Sequence, residues 1–148
     1  MNTASATGGV LDTNVVILLP QITDPAALPA EPAVTAITLA ELSVGPLVAD
    51  TDAERANRQT QLQQAESDFD PIPFDTAAAR AFGRVAADLR RAGRKATARA
   101  YDALIAATAI ANGLPLYTTN PKDYDSITEL DLVPVPHPDK PPPPSPAC

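Results

Sequence analysis

The chain has 148 residues, 45% of them apolar, and a formal net charge of −7. This length suits one globular domain, and no apolar run reaches the roughly 20 residues of a membrane span. The first residues lack the basic and apolar stretches of a secretory signal, so we expect a cytoplasmic protein. A single cysteine, Cys148, excludes disulfides and cysteine zinc sites, and a single histidine, His137, argues against histidine-based catalysis. Carboxylates, hydroxyls and amides must therefore supply any chemistry.

Predicted strands and helices alternate along the chain. The first strand, 10–11, ends at Asp12 and is followed by a helix from Thr13 or Asn14 to Leu19. A second strand is expected over 33–37, and Thr38 then begins a helix as its N-cap, with Glu41 completing a capping box. Further elements are predicted as helices over 52–68, 75–92 and 97–112, a strand over 114–117 and an edge strand over 132–135. This alternation favours an α/β fold with a parallel sheet.

The two ends of the chain differ from its centre in composition. Residues 1–8 are small and polar, which predicts a mobile N-terminus. Residues 136–148 are rich in proline and contain no residues that could form a core, which predicts a disordered tail. One domain over 9–135 is therefore expected.

Positive charge is concentrated in one segment of this acidic chain. Residues 80–99 hold seven basic residues against Asp88 alone, a balance of +6, and the remainder carries −13. Two interpretations stay open, a solvated helix face and a surface that contacts nucleic-acid phosphates. The seven are Arg80, Arg84, Arg90, Arg91, Arg94, Lys95 and Arg99.

Three carboxylates occupy positions where apolar residues would be expected. Asp12 ends a buried-looking strand, and ligands bind at such strand ends in parallel sheets. Glu41 and Asp102 each share a helix face with small or apolar residues. Burying unpaired carboxylates costs several kcal/mol, and a shared divalent cation would remove that cost for all three. Without His or Cys ligands, Mg²⁺ or Mn²⁺ is favoured over zinc.

Each of these acids also has a purely structural interpretation. Asp12 could cap the helix that follows it, Glu41 could belong only to the capping box, and Asp102 could interact with the dipole of its helix. Three separate structural reasons would then be needed at three element ends. The shared cation is the simpler explanation.

Four segments carry the acids and hydroxyls of interest: LDTN at 11–14, ITLAELSVG at 37–45, YDALIAATA at 101–109 and LYTTNPKDY at 116–124. Together they resemble the PIN-domain ribonucleases, and more narrowly the VapC toxins of VapBC toxin–antitoxin modules. The resemblance covers about residues 9–135.

The resemblance implies a three-layer α/β/α sandwich and a metal-dependent endoribonuclease. Asp12, Glu41 and Asp102 match the family's acidic residues, and Asp123 matches a fourth acid, whereas some relatives carry Asp where this chain has Asn120. Thr13 and Thr118 match supporting hydroxyl residues. One or two Mg²⁺ or Mn²⁺ ions would support in-line hydrolysis that leaves a 5′-phosphate and a 3′-hydroxyl. The resemblance also implies a homodimer and a VapB-type antitoxin partner.

Other function classes fit the residues less well. A haloacid-dehalogenase-type phosphatase needs a second Asp where Asn14 stands, and a receiver-like phosphoacceptor needs an acid adjacent to Asp12. A non-catalytic module that keeps the fold and sequesters RNA or antitoxin remains the alternative. A nuclease assay with and without Mg²⁺ separates it from the enzyme.

Overall fold

A four-stranded parallel sheet forms the centre of the molecule, as seen in a computed structural model that describes residues 7–139 except the side chain of Ala98. The strand order is β2-β1-β3-β4, and Val10 of β1 lies beside Ala33 on one side and Leu116 on the other. The strands are β1 (Gly8–Leu11), β2 (Glu31–Ala33), β3 (Leu116–Thr118) and β4 (Leu132–Pro134). The carboxyl ends of the two central strands, β1 and β3, therefore meet at one edge.

Five α-helices within residues 7–139 surround the sheet, and their ends follow local sequence signals. Asp75 caps α4 by accepting a hydrogen bond from the Ala78 N–H, and Gly93 and Gly113 adopt positive φ angles beyond α4 and α5. Short 3₁₀ turns connect several of the elements. The helices are α1 (Thr13–Leu18), α2 (Ala36–Val44), α3 (Asp52–Asp68), α4 (Thr76–Arg91) and α5 (Ala100–Ala111).

Apolar side chains pack on both faces of the sheet. Successive residues of a strand point to opposite faces, so Val10 joins the core beneath α4 and α5, whereas Leu11 joins the core beneath α1 and α2. Val85 and Ile105 belong to the first core, and Val15 belongs to the second. Helices thus cover both faces, which confirms the predicted α/β/α sandwich with a parallel sheet.

The region around β2 and α2 differs from the sequence prediction. The strand ends at Ala33, and α2 already begins at Ala36, capped by Thr35, whose hydroxyl accepts from the Thr38 N–H at 3.2 Å. The predicted strand over 33–37 and the Thr38–Glu41 capping box are therefore wrong. Pro32 is tolerated because β2 is an edge strand, and Thr38 lies inside the first turn of α2.

Most of the other predicted boundaries hold within a few residues. α5 is preceded by a 3₁₀ turn, Ala96–Arg99, where the helix was expected to begin at Thr97. The predicted mobile start and disordered tail lie mostly outside the described residues, although Gly8 already belongs to β1. No helix among residues 7–139 is both long and apolar enough to cross a membrane.

Candidate active site

Asp12 lies at the end of β1 and is only 4% exposed. One carboxylate oxygen accepts from the Val15 N–H at 3.0 Å, so Asp12 does cap α1. The other oxygen accepts from the Thr118 hydroxyl at 2.5 Å, which links the ends of the two central strands. The capping role and the site position are therefore compatible, because each uses a different oxygen.

Glu41 and Asp102 reach the same edge of the sheet from helices. Glu41 is half-buried on α2 and accepts from the Thr13 hydroxyl at 2.5 Å; that hydroxyl also contacts the Thr38 hydroxyl at 3.0 Å. Asp102, in the first turn of α5, accepts from the Tyr124 hydroxyl at 3.1 Å. Each of the three carboxylates thus has its own hydroxyl donor from another element.

The carboxylates lie close enough to influence one another electrostatically. Burial raises the pKa of Asp12, and the negative charges of Asp102 and Asp123 raise it further, against the lowering effect of its hydrogen bonds. Burial also raises the pKa of Glu41, with added repulsion from Asp102 and Asp12. The pKa of Asp102 is raised by burial first and then by Asp123. The fold therefore gathers all four predicted acids into one cluster, which we call the acidic cluster (Asp12, Glu41, Asp102, Asp123).

Asp123 differs from the other acids because a cation already faces it. Its carboxylate lies in the short turn Pro121–Asp123 and accepts from the Arg99 guanidinium at 2.6 Å. Asn120 is exposed at the start of this turn, and its backbone N–H donates to the Thr118 hydroxyl at 3.0 Å. Thr118 therefore joins Asp12 to the segment that carries both candidates for the fourth ligand.

The seven basic residues predicted to face RNA fall into two groups. Four of them form ion pairs within the chain: Arg84 with Glu129, Arg91 with Asp88, Arg94 with Asp125 and Arg99 with Asp123. Within residues 7–139, Arg80, Arg90 and Lys95 form no ion pair. Only Arg99 touches the acidic cluster through a hydrogen bond seen here.

Glu41 lines at least two cavities in the described part of the chain. One, of about 470 Å³, is lined by Glu41, Thr97, Arg99, Tyr101 and Asp102 together with Ala100. The other, of about 290 Å³, includes Thr13, Asn14 and Arg58. A larger cavity of about 600 Å³ lies between α1 and α3, away from the carboxylates. The chemistry of the acids, and not cavity size, identifies the site.

Sequence reasoning missed three residues of this region. Tyr124 was seen only as the aromatic end of a motif, yet its buried hydroxyl donates to Asp102. The sequence predicts Thr38 as a cap, but its hydroxyl contacts that of Thr13. Arg58 donates to the Gly45 carbonyl and lines a cavity with Glu41. A hydroxyl on an otherwise buried ring was the available signal for Tyr124, because such a group needs a partner. Thr38 and Arg58 gave none, because their contacts depend on how distant segments pack.

The acidic cluster has the donors that a hard divalent cation needs. All four acids offer carboxylate oxygens, and threonine hydroxyls lie among them. Within residues 7–139, however, no three carboxylates converge tightly enough to hold one ion as they stand. The donor chemistry fits Mg²⁺ or Mn²⁺, and ion binding would require the carboxylates to move closer together.

Comparison with known proteins shows the family to which this chain is similar. The PIN-domain family model matches residues 9–130. Ribonuclease VapC5 of Mycobacterium tuberculosis is 40% identical over 133 residues, covering 88% of this chain and 93% of the relative. The crystal structure of the VapBC-5 toxin–antitoxin complex from the same species matches with a TM-score of 0.74 and 35% identity, over 87% of this chain and 99% of that one.

A second solved complex extends the likeness to another organism. VapBC2 of Rickettsia felis, bound to a promoter DNA fragment, matches with a TM-score of 0.68 and 25% identity, over 84% of this chain and 96% of that one. The resemblance stated from the sequence is therefore confirmed. This chain belongs to the PIN-domain family, among its VapC ribonucleases.

Proposed function

We propose that this chain is the ribonuclease toxin of a type II toxin–antitoxin pair and that its nuclease activity depends on Mg²⁺ or Mn²⁺. The observation that carries this proposal is the acidic cluster, gathered where β1 and β3 end and oriented by three hydroxyl donors. Burial and mutual repulsion raise the pKa values of Asp12, Glu41 and Asp102, so keeping them ionised costs free energy. A bound cation would offset this cost. RNA as substrate implies a cytoplasmic location.

The acids and the two threonines of the site have different roles in the proposed reaction. Asp12, Glu41, Asp102 and Asp123 would hold the cation, which when bound supplies Lewis-acid stabilisation of the phosphate and a more acidic water. Thr118 and Thr13 fix the orientations of Asp12 and Glu41 by donating to them. In-line hydrolysis would form a bond between a water oxygen and phosphorus and break the P–O3′ bond. The departing O3′ would take up the proton that the water loses, so the products would carry a 5′-phosphate and a 3′-hydroxyl.

Asp123 is the stronger candidate for the fourth ligand. Its carboxylate adds a full negative charge near Asp102, whereas Asn120 offers only a neutral amide. Arg99 forms an ion pair with Asp123. If Asp123 instead held the cation, the Arg99 guanidinium would lose this partner. The freed Arg99 could then bind an RNA phosphate.

The partner part of the proposal rests on charge and on the solved relatives. Complexes of VapBC type with similar toxin folds indicate a VapB-type antitoxin partner for this chain. An acidic cluster attracts basic side chains, so we expect an antitoxin arginine or lysine to enter it and block the site. A homodimer of the toxin within the hetero-oligomer is part of the same proposal.

The test is RNA cleavage by the purified chain without antitoxin. Cleavage should require Mg²⁺ or Mn²⁺, stop in EDTA and be abolished by Asp12→Ala, while the exposed Asp70→Ala matches the parent. Cleavage that persists in EDTA would contradict the metal dependence. RNA binding without any cleavage would instead support the non-catalytic alternative.

A further inference from the structure

Tyr101 is an aromatic side chain in an unusual position. Its side chain is 53% exposed, the one aromatic among residues 7–139 found with the large exposed apolar side chains. It is the second residue of α5, whose following residues Ala103 and Ile105 are buried, so the ring contributes little to the core. Packing therefore does not explain an aromatic ring at this position.

The surroundings of Tyr101 connect it to the acidic cluster. It immediately precedes Asp102 and lines the cavity of about 470 Å³ that Glu41, Asp102 and Arg99 also line. A scissile phosphate held at the acidic cluster would place the neighbouring nucleotide in or beside this cavity. The exposed ring thus lines the same cavity as two of the acids to which the chemistry is assigned.

We propose that Tyr101 forms a stacking subsite for an unpaired nucleobase adjacent to the scissile phosphodiester. This inference rests on the proposed ribonuclease function and adds to it a contact with one base of the substrate. Aromatic side chains bind splayed-out bases of single strands by stacking, which a base inside a duplex cannot do. Arg99, in the same cavity, can contact the adjoining phosphate.

A base fits this cavity better than an apolar segment of a protein partner. Two carboxylates and a guanidinium line it together with the ring, and an apolar segment would have to desolvate those charges. Val44, Leu47 and Val48, at the end of α2 and in the turn after it, form a more apolar exposed surface for a protein. The charged walls suit a base, which combines a flat face with polar edges.

The experiment compares Tyr101→Phe, Tyr101→Leu and Tyr101→Ala on a single-stranded RNA whose cleavage position has been mapped. Phe should keep kcat/KM near that of the parent because the ring is retained. Leu and Ala should lower it by roughly 5- to 150-fold, the range that stacking of one base supplies. Leu47→Ala, which truncates another exposed apolar side chain, should leave it unchanged, and thermal melting should show all variants folded.

Abasic substitution identifies the base that stacks. An RNA lacking the base on one side of the cleaved bond should be a poor substrate for the parent, and Tyr101→Ala should lower its cleavage no further. If the parent cleaves RNA and Tyr101→Ala cleaves it equally well, or weakens only antitoxin binding, the stacking subsite is wrong while the nuclease stands. If the parent cleaves no RNA, the proposed function and the subsite both fall.

Discussion

Hydroxyl groups orient the acids of the site one by one. Thr118 donates to Asp12, Thr13 to Glu41 and Tyr124 to Asp102, at 2.5, 2.5 and 3.1 Å. Such outer partners fix the direction in which a ligand oxygen points and so set cation affinity. The hydrogen bonds also favour the ionised form of each carboxylate, against the effect of burial.

Tyr124→Phe tests this positioning with the loss of one oxygen atom. Asp102 would lose its hydroxyl donor while the buried ring is kept, so we expect Mn²⁺ affinity to fall by about 10-fold. The measurement is the free Mn²⁺ signal in electron paramagnetic resonance, recorded without RNA. Tyr117→Phe on β3 removes the same oxygen elsewhere and should bind Mn²⁺ like the parent. Equal affinity in both variants would show that the Tyr124 hydroxyl does not position Asp102.

Asp12→Asn should stabilise the metal-free protein at neutral pH. The folded-state pKa of Asp12 is raised above its ordinary value of 3.8, so between these two pKa values the native state holds a proton that the unfolded state releases. Stability therefore falls as pH rises from 3.8 through the folded-state pKa. The amide avoids this loss, and we expect a gain of roughly 1 kcal/mol at pH 7 that shrinks on acidification. Urea unfolding at several pH values measures it, and a loss of stability at pH 7 would contradict the argument.

At the scale of elements, local signals predict helices well where one residue decides the end. Thr51 and Asp75 cap α3 and α4, and Gly93 follows α4, as these residue types favour. The start of α2 was misplaced because Thr35 and Thr38 are both plausible caps. Thr38 instead lies inside the helix, and its hydroxyl forms a hydrogen bond with the Thr13 hydroxyl of α1. No local sequence pattern predicts this contact.

The same distinction explains what was predictable in the site. Asp12, Glu41 and Asp102 stood out because carboxylates amid apolar neighbours need an explanation. The Arg99–Asp123 ion pair joins residues 24 positions apart in the sequence, and no pattern in either segment predicts it. The pairs Arg84–Glu129 and Arg94–Asp125 could not be predicted either, because they depend on how α4 and the residues after it face the loop after β3.

Asp88 shows how α4 is fixed to that loop. Its buried carboxylate accepts from both the N–H and the hydroxyl of Thr128, each at 2.9 Å, and pairs with Arg91. The backbone hydrogen bond from Thr128 is the main reason that the pKa of Asp88 lies below its usual value. An ionised Asp88 therefore stabilises the connection between α4 and the segment that follows Tyr124.

Asp88→Asn should lower the free energy of unfolding by about 1–3 kcal/mol at pH 7, because a charged acceptor is lost. Because the pKa of Asp88 is lower in the folded than in the unfolded state, the ionised carboxylate stabilises the fold at pH values above the unfolded-state pKa. This stabilisation is lost as the pH falls through the folded-state pKa. The difference in the free energy of unfolding between Asp88→Asn and the parent should therefore become smaller at acidic pH. Arg91→Ala, which removes a side chain that is 69% exposed, should cost less than about 1 kcal/mol. Equal unfolding curves for Asp88→Asn and the parent at pH 7 would contradict this role.

At the scale of the molecule, the charge is divided between an acidic body and one basic segment. The net charge of −7 opposes RNA binding in general. Among the predicted RNA-facing cations, Arg80, Arg90 and Lys95 stay outside the ion pairs of residues 7–139. These three residues are therefore the ones most available to phosphates.

Arg90→Glu should weaken binding of single-stranded RNA and flatten its salt dependence. Each lost phosphate contact lowers the slope of log affinity against log salt by about 0.7, and the effect should be the same for all RNA sequences. Arg55→Glu makes the same charge change on α3, where Arg55 pairs with Asp52, and should alter the slope less. Filter binding at several salt concentrations measures both. If Arg90→Glu and the parent show the same salt dependence of RNA affinity, Arg90 does not contact the RNA backbone.

The most direct test of cleavage by the acidic cluster follows Mn²⁺ binding and RNA cleavage in the same samples. Bound Mn²⁺ is read by electron paramagnetic resonance, and cleavage by gel, for the parent, Glu41→Gln and the exposed Glu66→Gln. Parent and Glu66→Gln should begin to cleave as Mn²⁺ binds, and Glu41→Gln should lose both binding and cleavage. Cleavage by Glu41→Gln at the parental rate, or cleavage by the parent without bound Mn²⁺, would contradict a cation-dependent nuclease at this site.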